Sequence, residues 1–305
     1  MAKTEVILIM GPTASGKTDL AMQLYDHTPC DLISVDSALV YREMDIGTAK
    51  PTRKELTAYP HHLIDICNPD EPYSASKFRA DALPLIEAAI QAGRRPVLVG
   101  GTMLYFKTLV DGIADLPTGD NDVRAEITSQ AQKNGWPAMH EELTTYDPQS
   151  AARIKPGDSQ RIQRAIEVYR LTGKTLTQFH EEQSEQSLPY RSLNIAIAPP
   201  DREILRQRIR TRFMQMLEQG LVAEVEYLLN ERNYNPDLPA LRSVGYRQVA
   251  DYLTGVYDYE TMIEKAITAT ARLAKRQVTW LRSWPDVNWF ESSAKDNLER
   301  LSGLL

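Results

Sequence analysis

Along the first hundred residues, short apolar runs alternate with longer stretches in which apolar side chains recur every three or four positions. The longer stretches predict amphipathic helices at 18–27 and 75–93. The short runs predict buried strands at 6–10 ("VILIM"), 31–37 ("DLISVDS"), 61–66 ("HHLIDI") and 95–102 ("RPVLVGGT"). Such an alternation is typical of an α/β fold, in which helices cover both faces of a parallel sheet. Ligands of these sheets bind at the carboxyl ends of the strands.

The hydrophobic pattern changes in the middle of the chain, at residues 115–190. Runs rich in valine and isoleucine are missing there, and the patterns at 121–135 and 158–174 predict helices. We therefore predict one α/β core, formed by residues 1–114 and 191–305, with residues 115–190 as an inserted helical domain.

The last third of the chain returns to a strand pattern at 191–199 and continues with two long helices. The first, at 201–220, ends at a glycine, and the second, at 259–285, ends at a proline. The apolar positions of the first helix predict an inward stripe of Ile204, Leu205, Ile209, Phe213, Met216 and Leu217. We expect this stripe to pack against the core.

Composition narrows the class of protein. The chain has 305 residues, a formal charge of −6 and a pI near 5.5, which disfavours broad, non-specific binding to nucleic acid. No apolar run approaches the ~20 residues of a membrane span, and the N-terminus has no signal-peptide pattern. Cys30 and Cys67 are too few for a disulfide framework, and the scattered histidines disfavour a nitrogen or sulfur metal site. We expect a cytoplasmic monomer that does not enter a membrane.

The segment "GPTASGKT" lies directly between the first predicted strand and the first predicted helix. Its spacing is that of G-x-x-x-x-G-K-[ST], a loop whose backbone N–H groups face a phosphate. We expect Lys17 to reach terminal phosphates and Thr18 to bind Mg²⁺ through its hydroxyl. The loop predicts a P-loop NTPase-like fold, and ATP or GTP is its commonest ligand, so a kinase or NTPase is the first hypothesis. The phosphate-binding candidates are Gly11, Pro12, Thr13, Ala14, Ser15, Gly16, Lys17 and Thr18.

Asp36 follows the apolar run of the second predicted strand, at the same edge of the sheet as the phosphate loop. Three roles are open for it: a Mg²⁺ ligand at a strand tip, a general base facing the loop, or a cap of the following turn. Ser37 beside it is a candidate for phosphate or substrate binding. Two observations weaken the kinase hypothesis. No later apolar run ends in Asp or Glu, and no arginine-rich lid stands out in the first half of the chain.

Five arginines and a single glutamate occupy positions 202–212: the arginines are Arg202, Arg206, Arg208, Arg210 and Arg212. Like charges at this spacing destabilise an isolated helix, which favours a polyanionic partner; a solvated charged face is the alternative. Arg212 adjoins the inward residues Phe213 and Met216, and we expect it to point at the phosphate loop.

Two further basic sets are "LRSVGYR" at 241–247 and "LAKRQVTWLR" at 273–282. In the second set, Val278 and Trp280 are expected in the core. Between 201 and 282 there are 13 Lys and Arg against 11 Asp and Glu, a local charge of +2 that leaves −8 for the rest of the chain. This asymmetry indicates a discrete face that binds a polyanion.

Seven segments, in order and over essentially the whole chain, resemble those of the bacterial tRNA dimethylallyltransferases. They are 11–18, 34–51, 98–109, 158–169, 212–225, 243–248 and 273–282. The resemblance implies that the loop holds the diphosphate of dimethylallyl diphosphate rather than ATP. It also implies transfer of the prenyl group to N6 of adenosine 37 in tRNAs that read codons beginning with U, with the helical insertion helping to grip the anticodon stem-loop.

The same resemblance implies roles for individual residues. Asp36 would accept the N6 proton, while Lys17, Arg212 and a Mg²⁺ on Thr18 would stabilise the leaving diphosphate. A flipped adenine would be surrounded by Asp36, Ser37, Ala38, Leu39 and Thr102. The remaining residues implied to hold tRNA are Arg124, Gln160, Arg161, Ile162, Gln163, Arg164, Arg242, Ser243, Val244, Gly245, Tyr246, Arg247, Lys275, Arg276, Gln277, Val278, Thr279, Trp280, Leu281 and Arg282.

Other functions stay open at the level of sequence. Transfer to a free adenine nucleotide would use the same loop and the same aspartate, but would need neither the helical insertion nor the basic sets. A small-molecule kinase rests on the loop alone, and an RNA-binding protein with a vestigial loop rests on the arginines alone. Because the chain is acidic overall, affinity for RNA must come from local patches and should fall steeply with salt.

Overall fold

A six-stranded parallel sheet is present in the computed structural model, which describes residues 5–114, 116–182 and 187–305. Within these ranges the strands are β1 (Glu5–Met10), β2 (Cys30–Val35), β3 (His61–His62), β4 (Arg95–Gly100), β5 (Arg191–Ala198) and β6 (Val287–Glu291). Their order in the sheet is β3-β2-β4-β1-β5-β6, and every pairing is parallel. The predicted α/β class is confirmed.

The described ranges also contain fourteen helices. They are α1 (Lys17–His27), α2 (Arg53–Ala58), α3 (Ala75–Gln91), α4 (Met103–Asp111), α5 (Asn121–Asn134), α6 (Trp136–Tyr146), α7 (Pro148–Arg153), α8 (Ser159–Thr172), α9 (Leu176–Glu182), α10 (Arg202–Gln219), α11 (Leu221–Asn230), α12 (Tyr246–Leu253), α13 (Tyr259–Arg282) and α14 (Asn297–Ser302). In this part of the chain every helix is too short or too polar to span a bilayer.

Strand β1 is central, and its residues 6–10 are fully buried. Ile7 lies opposite Val97 of β4 on one side and Leu193 of β5 on the other. A strand covered on both faces is an unbroken apolar run, which is why the pattern of the sequence predicts it. Burial of each such side chain contributes ~1.5–3 kcal/mol, so the sheet is a rigid base for the loops at its carboxyl edge.

The chain divides into two compact units. One contains the sheet and comprises the segments up to Thr108 and from Pro189 onward; the other is helical and comprises Leu109–Leu188. Within the helical unit, α5, α6 and α8 pack around a core that includes Ile127 and Leu143. The first boundary between the two units falls inside α4. The change in hydrophobic pattern along the sequence predicts boundaries after residues 114 and 190.

Three elements differ from the expectations. Strand β3 has only the first two of the six residues predicted at 61–66, because Leu63 and Asp65 have φ values of 63° and 57°, outside the extended region. Helix α4 begins directly after the predicted strand at 95–102, where no helix is predicted from the sequence. Strand β6 is missed because it is a short edge strand whose sequence, "VNWFE", has no apolar run.

The inward stripe of α10 is confirmed at Leu205, Ile209 and Phe213, which are buried. Met216 and Leu217 are partly buried against the same core. The prediction for Ile204 is wrong, since its side chain is 38% exposed. The buried residues recur every four positions, and Ile204 belongs to the neighbouring row of the helix.

Candidate active site

The loop between β1 and α1 is shaped by Ala14 and Gly16, whose φ values are 62° and 82°. Gly16 directly precedes α1, and no side chain of the described residues caps that helix, so the N–H groups of its first turn are available to an anion. Position 11 has room only for glycine, because a Cβ there would lie 2.5 Å from both Ile197 O and Ser15 Oγ. The loop therefore has the form that binds a phosphate.

Two cations face this loop. Lys17 Nζ donates a hydrogen bond to Pro12 O at 3.3 Å. Burial lowers the pKa of Lys17 from 10.5 to about 8; the Asp36 carboxylate opposes this shift, and the Arg212 guanidinium adds to it. Burial also lowers the pKa of Arg212, against the opposing effect of Asp36 and Asp19. Because Lys17 and Arg212 are poorly hydrated, their positive charges favour binding of an anion at this loop.

Asp36 directly follows β2. Its Oδ1 accepts hydrogen bonds from Ala38 N at 2.9 Å and from Leu39 N at 3.4 Å, so the turn-capping role is present. The turn is also held by Thr102, whose Oγ1 accepts a hydrogen bond from Ser37 N at 3.0 Å. No hydrogen bond to Asp36 Oδ2 is formed within the described ranges. One carboxylate oxygen therefore fixes the group, and the other is available to a ligand.

A cavity of about 510 Å³ joins these groups. It lies wholly in the sheet unit and is lined by Thr18, Asp36, Thr102, Arg212, Gly245 and Trp280, among others. This volume is within the range of small-molecule sites. A phosphate loop, two cations and a carboxylate thus open into one space at the carboxyl edge of the sheet, where α/β proteins bind their ligands.

Two models of known protein families match the sequence of this chain. The model described as IPP transferase matches residues 39–284, and the model described as isopentenyl transferase matches residues 4–67. The chain belongs to the IPP transferase family. The resemblance inferred from the seven sequence segments is confirmed.

Individual relatives cover almost all of the chain. The tRNA dimethylallyltransferase 2 of Hahella chejuensis (strain KCTC 2396) is 53% identical over 312 residues, which span 98% of this chain and 94% of that protein. The crystal structure of a full-length tRNA isopentenylpyrophosphate transferase from Bacillus halodurans is 35% identical, has a TM-score of 0.70 and is matched over 99% of both chains. A eukaryotic dimethylallyltransferase acting on tRNA is 26% identical with a TM-score of 0.82, over 99% of this chain and 78% of that one.

In this IPP transferase, Gln277 connects α13 to the phosphate loop. Its Oε1 accepts a hydrogen bond from Thr13 N at 3.1 Å, and its Nε2 donates to Gly101 O at 2.8 Å. A Cβ at Gly101 would lie 2.5 Å from that Nε2, so glycine leaves room for the contact. The side-chain amide of Gln277, which the resemblance implied would hold tRNA, is thus occupied in positioning the loop.

Glu224 of α11 is a positioning residue that the sequence analysis missed. Its carboxylate accepts hydrogen bonds from Asp45 N at 3.0 Å, Ile46 N at 2.8 Å and Gly47 N at 3.1 Å. The carboxylate also accepts a hydrogen bond from the Tyr246 hydroxyl at 2.5 Å. These bonds fix two segments that line the cavity, one after Ile46 and one before Tyr246. Glu224 and Glu226 both interrupt the apolar stretch "LVAEVEYLL", and the sequence does not indicate which of them has this role.

Most residues implied to hold tRNA are exposed or line the cavity. The exposed ones are Ser37, Arg124, Gln160, Arg161, Arg242, Arg247, Lys275, Arg276, Thr279, Trp280 and Arg282. Those that line the cavity are Asp36, Ser37, Ala38, Leu39, Thr102, Arg242, Ser243, Val244, Gly245, Arg276, Gln277 and Trp280.

Three of the implied tRNA contacts need correction. The side chains of Ile162, Tyr246 and Leu281 are fully buried, so none of them can touch RNA in this structure. Each lies in a helix whose neighbouring residues are exposed, and a segment-wide resemblance does not separate the two faces of a helix. We therefore assign these three residues to core packing.

The expectation for Trp280 is also wrong, but in the opposite direction. Its side chain is 37% exposed and lines the cavity, whereas an apolar residue near the end of a long helix was expected in the core. Leu281, the next residue along α13, occupies the core position instead. An exposed indole at the cavity mouth is suited to contact a flat ring.

In the helical unit, Arg124 and Arg164 bind the buried Glu167. Arg124 Nε lies 2.8 Å from Glu167 Oε1, Arg164 Nη1 lies 2.7 Å from Oε2, and Asp120 N donates to Oε1 at 2.8 Å. Burial opposes ionisation of Glu167, but these hydrogen bonds together hold its pKa below the usual range. Gln163 Nε2 is likewise occupied, donating to Thr128 Oγ1 at 2.9 Å. Arg124, Arg164 and Gln163 therefore form contacts that stabilise the helical unit itself.

Proposed function

We propose that the chain transfers the dimethylallyl group of dimethylallyl diphosphate to N6 of adenosine 37 in tRNAs that read codons beginning with U, and releases diphosphate. The relatives named for tRNA dimethylallyl or isopentenylpyrophosphate transfer support tRNA as the acceptor. The observation that carries the proposal is the single cavity shared by the phosphate loop, two cations and Asp36.

The cations and the loop account for the donor substrate. As the C1–O bond breaks, the diphosphate leaves with the bonding electron pair, and negative charge accumulates on its oxygens. Lys17, Arg212 and the N–H groups at the start of α1 are fixed at the loop before the reaction, so they stabilise this charge without reorganisation. The Thr13 N–H is held in place by Gln277 in the same loop.

Asp36 accounts for the acceptor substrate. The N6 lone pair of adenine is delocalised into the ring, so N6 is a weak nucleophile, and attack on C1 is helped by a group that takes its proton. Oδ2 of Asp36 is the acceptor for that proton, while Oδ1 keeps the side chain oriented through Ala38 N. The products are the N6-dimethylallyl base, protonated Asp36 and diphosphate.

Mg²⁺ is the metal that fits the donor side of the site. Thr18 lines the cavity beside Lys17 and would hold the ion through its hydroxyl oxygen, the kind of hard ligand that Mg²⁺ prefers. When bound, the ion supplies further positive charge to the diphosphate.

Reaction at N6 requires the base to leave the anticodon loop, because a stacked adenine cannot reach the cavity. Ser37, Ala38, Leu39 and Thr102 form the wall next to Asp36 and are the proposed contacts of the flipped base. Arg242 and Arg276 at the cavity and Gln160 and Arg161 in the helical unit are proposed contacts of the RNA backbone.

The experiment is a transfer assay with labelled dimethylallyl diphosphate and Mg²⁺. Unmodified tRNA is offered in one tube, AMP in a second, and ATP with either acceptor in a third. We expect label in tRNA alone. Label in AMP would assign the protein to the branch that uses free nucleotides, and ADP formation that depends on an acceptor would favour a kinase. Binding of tRNA without any product, unaffected by Lys17→Ala, would favour an RNA-binding protein with a vestigial loop.

A further inference from the structure

A second opening lies beside the reaction cavity in the sheet unit, between α10, α13 and the end of β6. Its volume is about 860 Å³. On α13, Arg276, Gln277 and Trp280 face the reaction cavity, whereas Lys275, Val278 and Arg282 line this second opening, which we call the β6 groove. A single helix therefore has one face in the reaction cavity and the adjacent face in the groove.

The β6 groove is bordered by five basic side chains: Arg202, Arg206, Lys275, Arg282 and Arg300. Its three acidic residues are Asp201, Glu203 and Glu291. Two of these carboxylates are engaged locally, since Asp201 Oδ1 accepts a hydrogen bond from Glu203 N at 2.8 Å and Glu291 Oε1 accepts one from Ser293 Oγ at 2.5 Å. The groove is thus a positive region on a chain whose total charge is −6.

In the part of the chain that the structure describes, most basic side chains of the groove lack an anionic partner. Among the described residues, Arg202, Arg206, Lys275 and Arg282 form no ion pair, whereas Arg210, one turn further along α10, pairs with Glu264. Clustered like charges repel one another, and a polyanion in the groove would relieve that repulsion.

The groove also offers an aromatic surface. Trp289 of the edge strand β6 is 42% exposed, and its carbonyl accepts a hydrogen bond from Arg300 Nη2 at 3.3 Å. The Arg300 guanidinium lies over the ring of Phe290, 4.5 Å from its centre, which holds the cation at the rim. An exposed indole among cations is typical of surfaces that bind the backbone of single-stranded nucleic acid and stack its bases.

We propose that the β6 groove is a second RNA-binding surface, which holds a segment of the tRNA next to the reacting loop through its phosphates and one stacked base. The proposal rests on the proposed function for the identity of the RNA. Charge complementarity favours RNA over a protein partner, because the rim is basic and only the floor, with residues such as Leu205 and Val278, is apolar.

The test measures the equilibrium affinity of unmodified tRNA, without dimethylallyl diphosphate, over a range of salt concentrations. Arg206→Ala should weaken binding and lower the slope of log affinity against log salt by about 0.7–0.9. Trp289→Ala should weaken binding by about 5- to 150-fold, the range for loss of one stacked base. The matched control is Arg210→Ala, on the same helix but paired with Glu264, for which the affinity and the slope should equal those of the wild type.

Two further variants separate a binding role from a folding defect. Arg206→Lys keeps the charge and should restore both the affinity and the slope, and Trp289→Phe should restore part of the affinity. Wild-type affinity and slope in both alanine variants would overturn the proposal. A change in sedimentation of Arg206→Ala without a change in tRNA affinity would also overturn it, in favour of contact with a second copy. If the wild type transfers no label while the alanine variants weaken tRNA binding, the proposed function fails and the groove stands.

Discussion

Cationic side chains have opposite surroundings in the two units of this protein. In the helical unit, Arg124 and Arg164 both contact the buried Glu167 carboxylate, at 2.8 and 2.7 Å. In the sheet unit, Lys17 and Arg212 share a cavity, and burial lowers the pKa of both. The difference shows which charges serve the fold and which are left for a ligand. A cation with its own carboxylate stabilises the protein, whereas one without it stabilises what the protein binds.

The largest expected effect separates the two roles of Asp36. In Asp36→Asn, the amide oxygen still accepts hydrogen bonds from Ala38 N and Leu39 N, but the side chain no longer takes a proton. We expect the single-turnover rate of prenyl transfer to fall by about 10²- to 10⁴-fold, with tRNA affinity retained. Asp36→Ala removes both roles and is the reference. A near-normal rate in the asparagine variant would leave Asp36 as a turn cap only.

The second effect concerns Arg212. Arg212→Ala removes a charge from the proposed diphosphate site, and we expect kcat/KM for dimethylallyl diphosphate to fall by about 10²- to 10³-fold. Steady-state kinetics at saturating tRNA measure this change. Arg210→Ala, two residues earlier and paired with Glu264, is the control. A loss confined to tRNA affinity would contradict the assignment of Arg212 to the diphosphate.

For the helical unit, the comparison predicts an effect on stability. Glu167→Gln removes the charge that Arg124 and Arg164 share, and we expect the free energy of unfolding to fall by about 1–3 kcal/mol. Because the pKa of Glu167 is lowered in the folded state, its contribution is present above the unfolded value near 4.5 and is lost as the pH falls through the folded value. Urea unfolding at neutral and acid pH should therefore show a difference between wild type and variant that shrinks in acid.

Glu126→Gln is the control for this stability measurement. Glu126 lies in the same unit, is 63% exposed and pairs with Arg170 at 3.5 Å. We expect its loss to change the free energy of unfolding by no more than about 1 kcal/mol. Equal effects of the two substitutions on the free energy of unfolding would mean that the buried ion pairs of Glu167 contribute no more stability than the exposed pair of Glu126.

The smallest effect is a pH dependence of diphosphate binding. The pKa of Lys17 is about 8 in the free protein, so its charge is present below that pH and is lost above it. Affinity for dimethylallyl diphosphate should fall as the pH rises through 8, by up to about tenfold per unit. Lys17→Arg keeps its charge throughout, and ionisation of the ligand is common to both proteins. Isothermal titration should therefore show a difference in pH profile, and parallel profiles would contradict the lowered pKa.

The parts of this molecule that the sequence predicts are those in which the signal is local. The phosphate loop is contiguous and lies between a strand and a helix that are evident from their patterns. The place of Arg212 follows from its buried neighbour Phe213 one position away. These inferences need only the geometry of one strand or one helix.

The parts that it misses depend on contacts between distant segments. Glu224 binds Asp45 N across 179 positions, and Gln277 binds Thr13 N across 264. Neither residue has a neighbour in sequence that indicates its partner. Similarly, the burial of Tyr246 and the exposure of Trp280 depend on which face of a helix meets the rest of the unit, and a pattern with mixed polarity leaves that face ambiguous.

In the proposed reaction, one cavity holds both the diphosphate and the group that accepts the proton of adenine N6. The decisive experiment locates the label after transfer to two otherwise identical tRNAs, one with adenosine and one with guanosine at position 37. Guanosine has no N6 amino group, so we expect label in the first tRNA, at position 37, and none in the second. Label in both tRNAs, or at another position of the first, would contradict it.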